Sequence, residues 1–488
     1  MVIESLKYKI LQQFGFAPTQ EQGQALDTFV SFLTDRDPQA VMILRGSAGT
    51  GKTSLSGAIV RTLLQIRQKV MLLAPTGRAA KVFSLGSGAP AYTIHRRIYR
   101  EKAFAGVDGQ FSLNDNLYTD TLFMVDEASM IANMGLGGTT FGSGCLLDDL
   151  VKFVYQGHND RLLLIGDKAQ LPPVGEEESP ALSASVMEGY GLKVYECDLN
   201  EVLRQSQSSG ILYNATLIRQ MITHDAVTGL PLIRFKGFAD IVMMPGAELV
   251  ESLGDSYHHV GMDETMVITR SNKRANIYNN GIRNIVLDRE EELSSSDMLM
   301  IVKNNYFWTE KEKKESGEGS AGAVPTFLAN GDRAKVLRVS NYIELYGFRF
   351  ATLLLQLPDY DDYEMQVTGM LDTLQSEAPA LTHEQQEELF RQVEEDYQHF
   401  VPLKADRMKS IRQDAYFNAL QIKYAYAVTC HKAQGGQWAH VYVDQGYMTD
   451  DMLTPDYIHW LYTAFTRATD KLFLVNWPKE QTCEPTDL

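Results

Sequence analysis

Cysteine is scarce in this chain: of 488 residues only Cys145, Cys197, Cys430 and Cys483 are cysteine, far apart and never as C-x-x-C. That spacing excludes a disulfide framework and offers no zinc site. Long apolar runs are missing too, and none approaches the ~18 residues that would span a bilayer. The opening Met-Val-Ile-Glu-Ser-Leu-Lys carries an acidic residue and no signal-peptide core. A cytoplasmic protein with no membrane partner is expected. Positive charge is also short, with 45 Lys and Arg against 62 Asp and Glu and a net charge of −17. Averaged over the surface this argues against nucleic acid, yet a groove can be locally basic on an acidic protein. At 44% hydrophobic residues, the composition is globular and the length suits about three domains.

What is present centres on residues 41–53. Val41 to Leu44 is a short apolar run of the kind that forms a buried parallel strand. Gly46, Ser47, Ala48, Gly49, Thr50, Gly51, Lys52 and Thr53 then match G-x-x-x-x-G-K-[ST] without a mismatch. The glycines let the backbone wrap a triphosphate with successive N–H groups aimed at its oxygens. Lys52 is placed to reach the β/γ-phosphates and the Thr53 hydroxyl to hold Mg²⁺. The helical stretch from Thr53 to Arg67 presents its positive N-terminal end to the phosphates. ATP and Mg²⁺ are therefore the expected ligands. Upstream, Thr19 suits the N-cap of a helix over 20–34. Gln22 in that helix is a candidate reader of the adenine edge, or a solvated glutamine.

Further buried strands each deliver polar residues at their carboxyl ends. Val70–Ala74 runs into Pro75-Thr76-Gly77-Arg78, a helix start suited to a backbone phosphate. Thr121–Val125 delivers Asp126 and Glu127, a Mg²⁺ ligand and a carboxylate that can polarise water. Leu162–Ile165 ends in Gly-Asp-Lys-Ala-Gln170-Leu-Pro-Pro-Val-Gly, which sets Gln170 at the nucleotide edge of the sheet. Between these, His95-Arg-Arg-Ile-Tyr-Arg-Glu-Lys102 is the most basic cluster, with an interleaved aromatic. It fits a single-strand groove or a solvated face. Residues 104–117 place Asp108-Gly109 between two short arms, a hairpin signal. It is too small to bury both Phe104 and Phe111, so either ring could stack on a base or pack down on the domain.

The second half repeats the pattern less cleanly. Thr265–Thr269 and Tyr424–Val428 are buried runs, His440–Val443 and Leu472–Val475 complete a second sheet, and Trp460–Ala468 is a helix carrying Arg467. Residues 310–322 are charged and rich in Gly and Ser, which predicts a loop. Residues 331–415 form an insert of β structure plus an acidic helix, with Thr382 as its N-cap. The stretch 135–144 is glycine-rich and carries no chemistry that can be assigned.

Taken in order, the phosphate loop, A-P-T-G-R-A-A, D-E-A-S, G-D-x-x-Q-L-P-P-V-G, E-V-x-R-Q, T-x-H-K-A-Q-G and T-A-x-T-R-A resemble superfamily 1 DNA helicases of the RecD/Dda-like branch. The resemblance implies an α/β protein of two RecA-like domains with ATP between them and single-stranded DNA across the top. It implies a first domain over 1–200 with a strand-separating hairpin at about 97–118. The second domain would be built from 201–330 and 416–488, with an SH3-like insert at 331–415. By the same likeness Gln22 reads adenine, Gln170 senses the γ-phosphate, and Arg204 and Arg467 reach it from the far domain. Pro75, Thr76, Arg78, Thr93, His95, Thr429 and His431 would touch the strand, while Gln434 and Gly435 couple it to the nucleotide. Forked or tailed duplexes would be substrates, with 5′→3′ travel. The chain departs from the pattern at Ala433, where the family usually has Ser, and at Gly436-Gln437. A phosphate-loop switch or loading module that hydrolyses ATP without DNA is the alternative; a small-molecule kinase would not need a second sheet with its own arginines.

Overall fold

The computed structural model describes residues 2–105, 108–135, 142–201, 208–223, 229–316, 325, 327–401, 403–449 and 452–483. The chain divides into two compact units, one of residues 1–101, 111–244 and 433–488, the other of 102–110 and 245–432.

In the first unit, strands β1 (Ala40–Gly46), β2 (Lys69–Ala74) and β3 (Ala91–Thr93) precede a hairpin of β4 (Tyr99–Ala105) and β5 (Asp108–Leu113), of which 102–110 are counted with the second unit. Strands β6 (Thr121–Val125), β7 (Arg161–Gly166) and β8 (Lys193–Leu199) follow. Six of them form a parallel sheet in the order β3-β2-β6-β7-β1-β8. β1 shows why the pattern is continuous and not alternating. Its side chains point to both faces in turn, Met42 and Leu44 into one apolar cluster and Val41 and Ile43 into the other, and helices cover both faces. The order β6-β7-β1 sets three carboxyl ends side by side, where open α/β sheets bind ligands.

The first unit also holds β9 (Ile241–Met244), and the second opens with β10 (Thr265–Thr269). The barrel strands of the second unit are β11 (Met298–Ile301), β12 (Arg333–Leu345), β13 (Phe348–Leu357), β14 (Tyr363–Met370) and β15 (Leu420–Tyr424), which close on one another. Next come β16 (Ala427–Thr429), parallel to β10, and, back in the first unit, β17 (Trp438–Asp444) and β18 (Ala468–Val475). β17, β18 and β9 are parallel neighbours, with the helix Pro455–Phe465 crossing over between β17 and β18. The α/β class with parallel sheets of the RecA-like kind is thus present.

Three local expectations change. The barrel draws strands from 298–301 and 420–424, beyond 331–415 at both ends, because an open three-stranded ribbon would leave its edges unpaired. The expected loop at 310–322 is helical as far as Ser316, in a helix Phe307–Ser316 anchored by Trp308, whose Nε1–H donates to Asn418 O at 2.9 Å; residues 317–322 lie outside the described residues. The hairpin begins at Tyr99, which is 8% exposed and donates its hydroxyl to Asp149 Oδ2 at 2.7 Å. Thr19 and Thr382 cap their helices as expected, each in a full capping box. Among the described residues no helix is long and apolar enough to cross a membrane.

Candidate nucleotide site and strand track

The phosphate loop leaves the wholly buried β1 and enters the helix Lys52–Gln65. Gly49 and Gly51 sit at φ 77° and 81°, which L side chains rarely adopt. A Cβ on Gly46 would meet Lys52 Cγ and Thr50 Oγ1 at 2.9 Å each. Inside this tight cradle Thr50 Oγ1 donates to Ser47 O at 2.8 Å, and Lys52 Nζ donates to Gly46 O at 2.5 Å and Ser47 O at 3.0 Å. Thr53 stands exposed at the first turn.

At the end of β6, Asp126 accepts the Glu127 N–H at 2.9 Å. Burial and the neighbouring Glu127 charge hold its carboxyl well above the usual carboxylate range, while Lys52 pulls it down. Glu127 has left-handed backbone at φ 52° and ψ 38°, a costly conformation for a residue with a Cβ, and such residues cluster at functional sites. A half-buried carboxylate beside a lysine, with the Thr53 hydroxyl, fits a divalent cation carried by phosphate. Among the described residues no group of three His, Cys, Asp or Glu side chains could hold a metal, so that cation would need phosphate and water oxygens as well.

Gln22 is 1% exposed, not a solvated glutamine. Its Oε1 accepts the Thr19 N–H at 3.0 Å and its Nε2 donates to Thr50 O at 2.9 Å. The expected adenine reader therefore also pins the phosphate loop, with one amide hydrogen left over.

Segment 167–171 after β7 is held by the C-terminal part of the chain. Tyr462 donates its hydroxyl to Asp167 Oδ2 at 2.6 Å and accepts the Ala48 N–H at 3.0 Å. Thr463 Oγ1 accepts the Leu171 N–H at 2.8 Å, Gln434 Nε2 donates to Leu171 O at 2.7 Å, and His459 Nδ1 lies 2.9 Å from Ala169 O. Burial and the Asp167 charge push the Tyr462 hydroxyl far above its ordinary value, so it stays protonated. In the middle of this lacing, the Gln170 Oε1 is buried with no hydrogen-bond partner. An orphaned amide oxygen at the sheet edge is what a water or phosphate-bound hydroxyl would satisfy.

Arg467 is 2% exposed and donates to three oxygens of its own neighbourhood, Thr463 O, Gly436 O and Thr466 Oγ1. Local packing thus takes up its guanidinium here. Arg204 lies outside the described residues. Two groups that motif reading passed over do reach the loop: Tyr462, inside T-A-x-T-R-A's own helix, and Arg219, whose Nη1 donates to Ser47 Oγ at 2.7 Å. The available signal for Arg219 was a lone cation in the apolar helix Gly210–Thr223.

On the proposed strand track, Thr76 and Thr93 cap helices, accepting the Ala79 and Arg96 N–H groups at 3.2 and 3.3 Å. Capping uses an oxygen lone pair and leaves each O–H able to donate. Pro75 is half-buried at the end of β2. Arg78 stacks on Trp438 at 4.5 Å and donates to Gln437 O at 2.5 Å, so its face is already covered. Gly435 abuts the helix start, where a Cβ would lie 3.0 Å from Ala79 Cβ and 3.1 Å from Thr76 Oγ1. Arg96 and Arg97 both stack on Tyr92, at 5.0 and 3.7 Å. Phe111 packs against the first unit's core; the Phe104 side chain lies outside the described residues. In the second unit, Thr429 pairs with Thr269 across β16 and β10, and His431 is exposed on the following turn.

Burial lowers the His95 imidazole to about 4. It is neutral at pH 7, so any strand contact it makes is by hydrogen bonding or stacking. Because the unfolded histidine binds its proton near pH ~6.5, the unfolded state holds more protons between about 4 and 6.5. Stability is therefore expected to fall as pH drops through that window. His95→Gln should flatten this slope in pH-dependent denaturation, and an unchanged slope would show that His95 is not the group responsible.

The AAA domain family matches residues 17–229, and the UvrD-like helicase C-terminal domain family matches residues 424–475. The ATP-dependent RecD2 DNA helicase of Deinococcus radiodurans is 30% identical over 157 residues, 32% of this chain and 18% of that protein. An uncharacterised protein of Methanocaldococcus jannaschii is 33% identical over 168 residues, 32% of this chain and 13% of that protein. This chain thus spans only a small part of either relative. An uncharacterised protein of Acanthamoeba polyphaga mimivirus is 22% identical over 508 aligned positions, covering 90% of this chain and 96% of that one. Among solved structures, a Bacteroides Pif1 helicase in complex with ADP-AlF3 and single-stranded DNA covers 96% of this chain and 95% of its own at 13% identity, with a TM-score of 0.47. The AAA domain match and the parallel sheet that leads into the phosphate loop together make the first part of the chain a P-loop α/β fold.

Proposed function

We propose that the chain is an ATP-dependent DNA helicase and translocase that travels 5′→3′ on single-stranded DNA and unwinds forked or tailed duplexes. The observation that carries this reading is the lacing of segment 167–171 to Tyr462, Thr463, His459 and Gln434. A simple nucleotide switch needs a phosphate loop, but it does not need the helix before Arg467 gripping the segment that carries Gln170. In this reading Lys52 binds the β/γ-phosphates, Thr53 and Asp126 hold Mg²⁺, Glu127 polarises the attacking water and Gln170 orients it. Arg204 and Arg467 act from the second motor domain, and Arg467 must leave its present bonds to do so. Pro75, Thr76, Thr93, His95, Thr429 and His431 contact the strand.

ATP hydrolysis measured with and without single-stranded DNA, followed by unwinding of 5′- and 3′-tailed duplexes, tests the proposal. Strong stimulation by the strand with preference for the 5′ tail is expected. A rate indifferent to DNA would favour the switch, and preference for the 3′ tail would overturn the polarity. Strand affinity should fall steeply with salt, with roughly 0.7 of a log–log unit per phosphate neutralised; salt-insensitive binding would contradict a basic track on so acidic a chain.

The hairpin β4–β5 is proposed as the pin that meets the duplex. Phe104 is the ring in it proposed to stack on a base, a contact worth ~1–3 kcal/mol, because Phe111 already packs on the core. Phe104→Ala should reduce unwinding sharply while DNA-stimulated hydrolysis persists. Phe111→Ala should instead lower stability, and equal loss of unwinding without destabilisation would reverse the two assignments.

A further inference from the structure

The helix Gly210–Thr223 buries Ile211, Ala215 and Ile218 and carries Arg219 beside that apolar face. Arg219 Nη1 donates to Ser47 Oγ at 2.7 Å and to Asn200 Oδ1 at 3.2 Å. Ser47 is itself held in place: its N–H donates to Leu199 O at 3.3 Å, and its carbonyl accepts from Thr50 and Lys52. A guanidinium is thereby fixed against the phosphate loop, and its charge is felt at the Tyr462 hydroxyl that holds Ala48. Arg467 is the contrast, its guanidinium taken up by backbone carbonyls. The two acceptors described for Arg219 Nη1 are neutral, a hydroxyl and an amide oxygen. A phosphate oxygen is a better acceptor than either, since charge-assisted bonds are roughly twice as strong and the guanidinium fork matches phosphate geometry.

We propose that Arg219 is a phosphate-binding residue of the nucleotide site, exchanging its Ser47 contact for the terminal phosphate of a nucleoside triphosphate. The inference rests on the ATPase reading above. It makes Arg219 a discriminator between triphosphate and diphosphate, since only the former offers that oxygen.

Equilibrium binding of ADP and of a non-hydrolysable ATP analogue to the full chain, wild type and Arg219→Gln, tests it. Loss of a hydrogen bond to a charged group predicts roughly 10- to 100-fold weaker analogue binding, with ADP binding changed by no more than about twofold. Arg219→Lys, which keeps the charge and the fold but not the fork, should weaken the analogue several-fold relative to ADP. It carries the test if the Gln variant does not fold. Equal losses for both nucleotides, or no loss for either, would overturn the role of Arg219 alone. A wild-type chain that binds neither nucleotide would instead overturn the ATPase reading.

Discussion

Lys52→Ala is expected to abolish measurable ATP hydrolysis, by at least ~10²-fold as for other donors aimed at developing charge, while single-strand binding survives. The ammonium is bonded to Gly46 O and Ser47 O, so it lies inside the cradle and not on the strand track. Removing it subtracts the charge that neutralises phosphate oxygens and also one of the influences that lowers the Asp126 carboxyl. Glu127→Gln is the companion experiment. It keeps the volume and removes the base, and general-base catalysis is worth roughly 10²–10⁴-fold. Slow turnover with ATP retained on the enzyme is therefore expected, measured by single-turnover hydrolysis. Substantial multiple turnover in either variant would place the catalytic centre elsewhere.

Asp297→Ala is expected to cost the second unit about 3–5 kcal/mol, the usual result of removing one partner from a buried ion pair. Asp297 is fully buried ahead of β11 and accepts five hydrogen bonds: from Arg283 Nε and Nη2, each at 3.0 Å, Arg289 Nη1 at 2.6 Å, Tyr426 Oη at 2.8 Å and Ser294 N at 2.7 Å. Arg283 is 3% exposed and stacks on Tyr424 at 4.6 Å. Without the carboxylate it would remain a buried cation with no counter-ion there. Domains are typically stable by only ~5–15 kcal/mol, so much of the margin would go. Denaturant unfolding read by the barrel's tyrosines, in the wild type and the variant, measures this. A shift under about 0.5 kcal/mol would mean that water or rearrangement replaces the carboxylate.

How much of this was legible in advance depends on the range of the interaction. Thr19 and Thr382 were readable as caps because a cap is settled within one helical turn. The strands β1, β6 and β7 were readable because a short apolar run bounded by turn residues has few other places to go. The barrel's true ends were not readable, because closure pairs 298–301 with 420–424 across more than a hundred residues. Phe111 illustrates the same limit, since no local pattern says which of two rings in a hairpin finds a core to pack on.

The sequence by itself determined the motif order, the phosphate loop, the acidic pair after β6 and the α/β class, all of them consequences of residue type and spacing over a few positions. Only the tertiary structure decided which polar groups meet at that loop. Gln22 and Tyr462 bond to it and Arg219 lies against it, while the Arg467 guanidinium is taken up by Thr463, Thr466 and Gly436. Ala48 and Tyr462 are 414 positions apart and Ser47 and Arg219 are 172 apart. Contacts at that separation are set by how buried faces pack, and a buried guanidinium takes whatever acceptors that packing brings within reach.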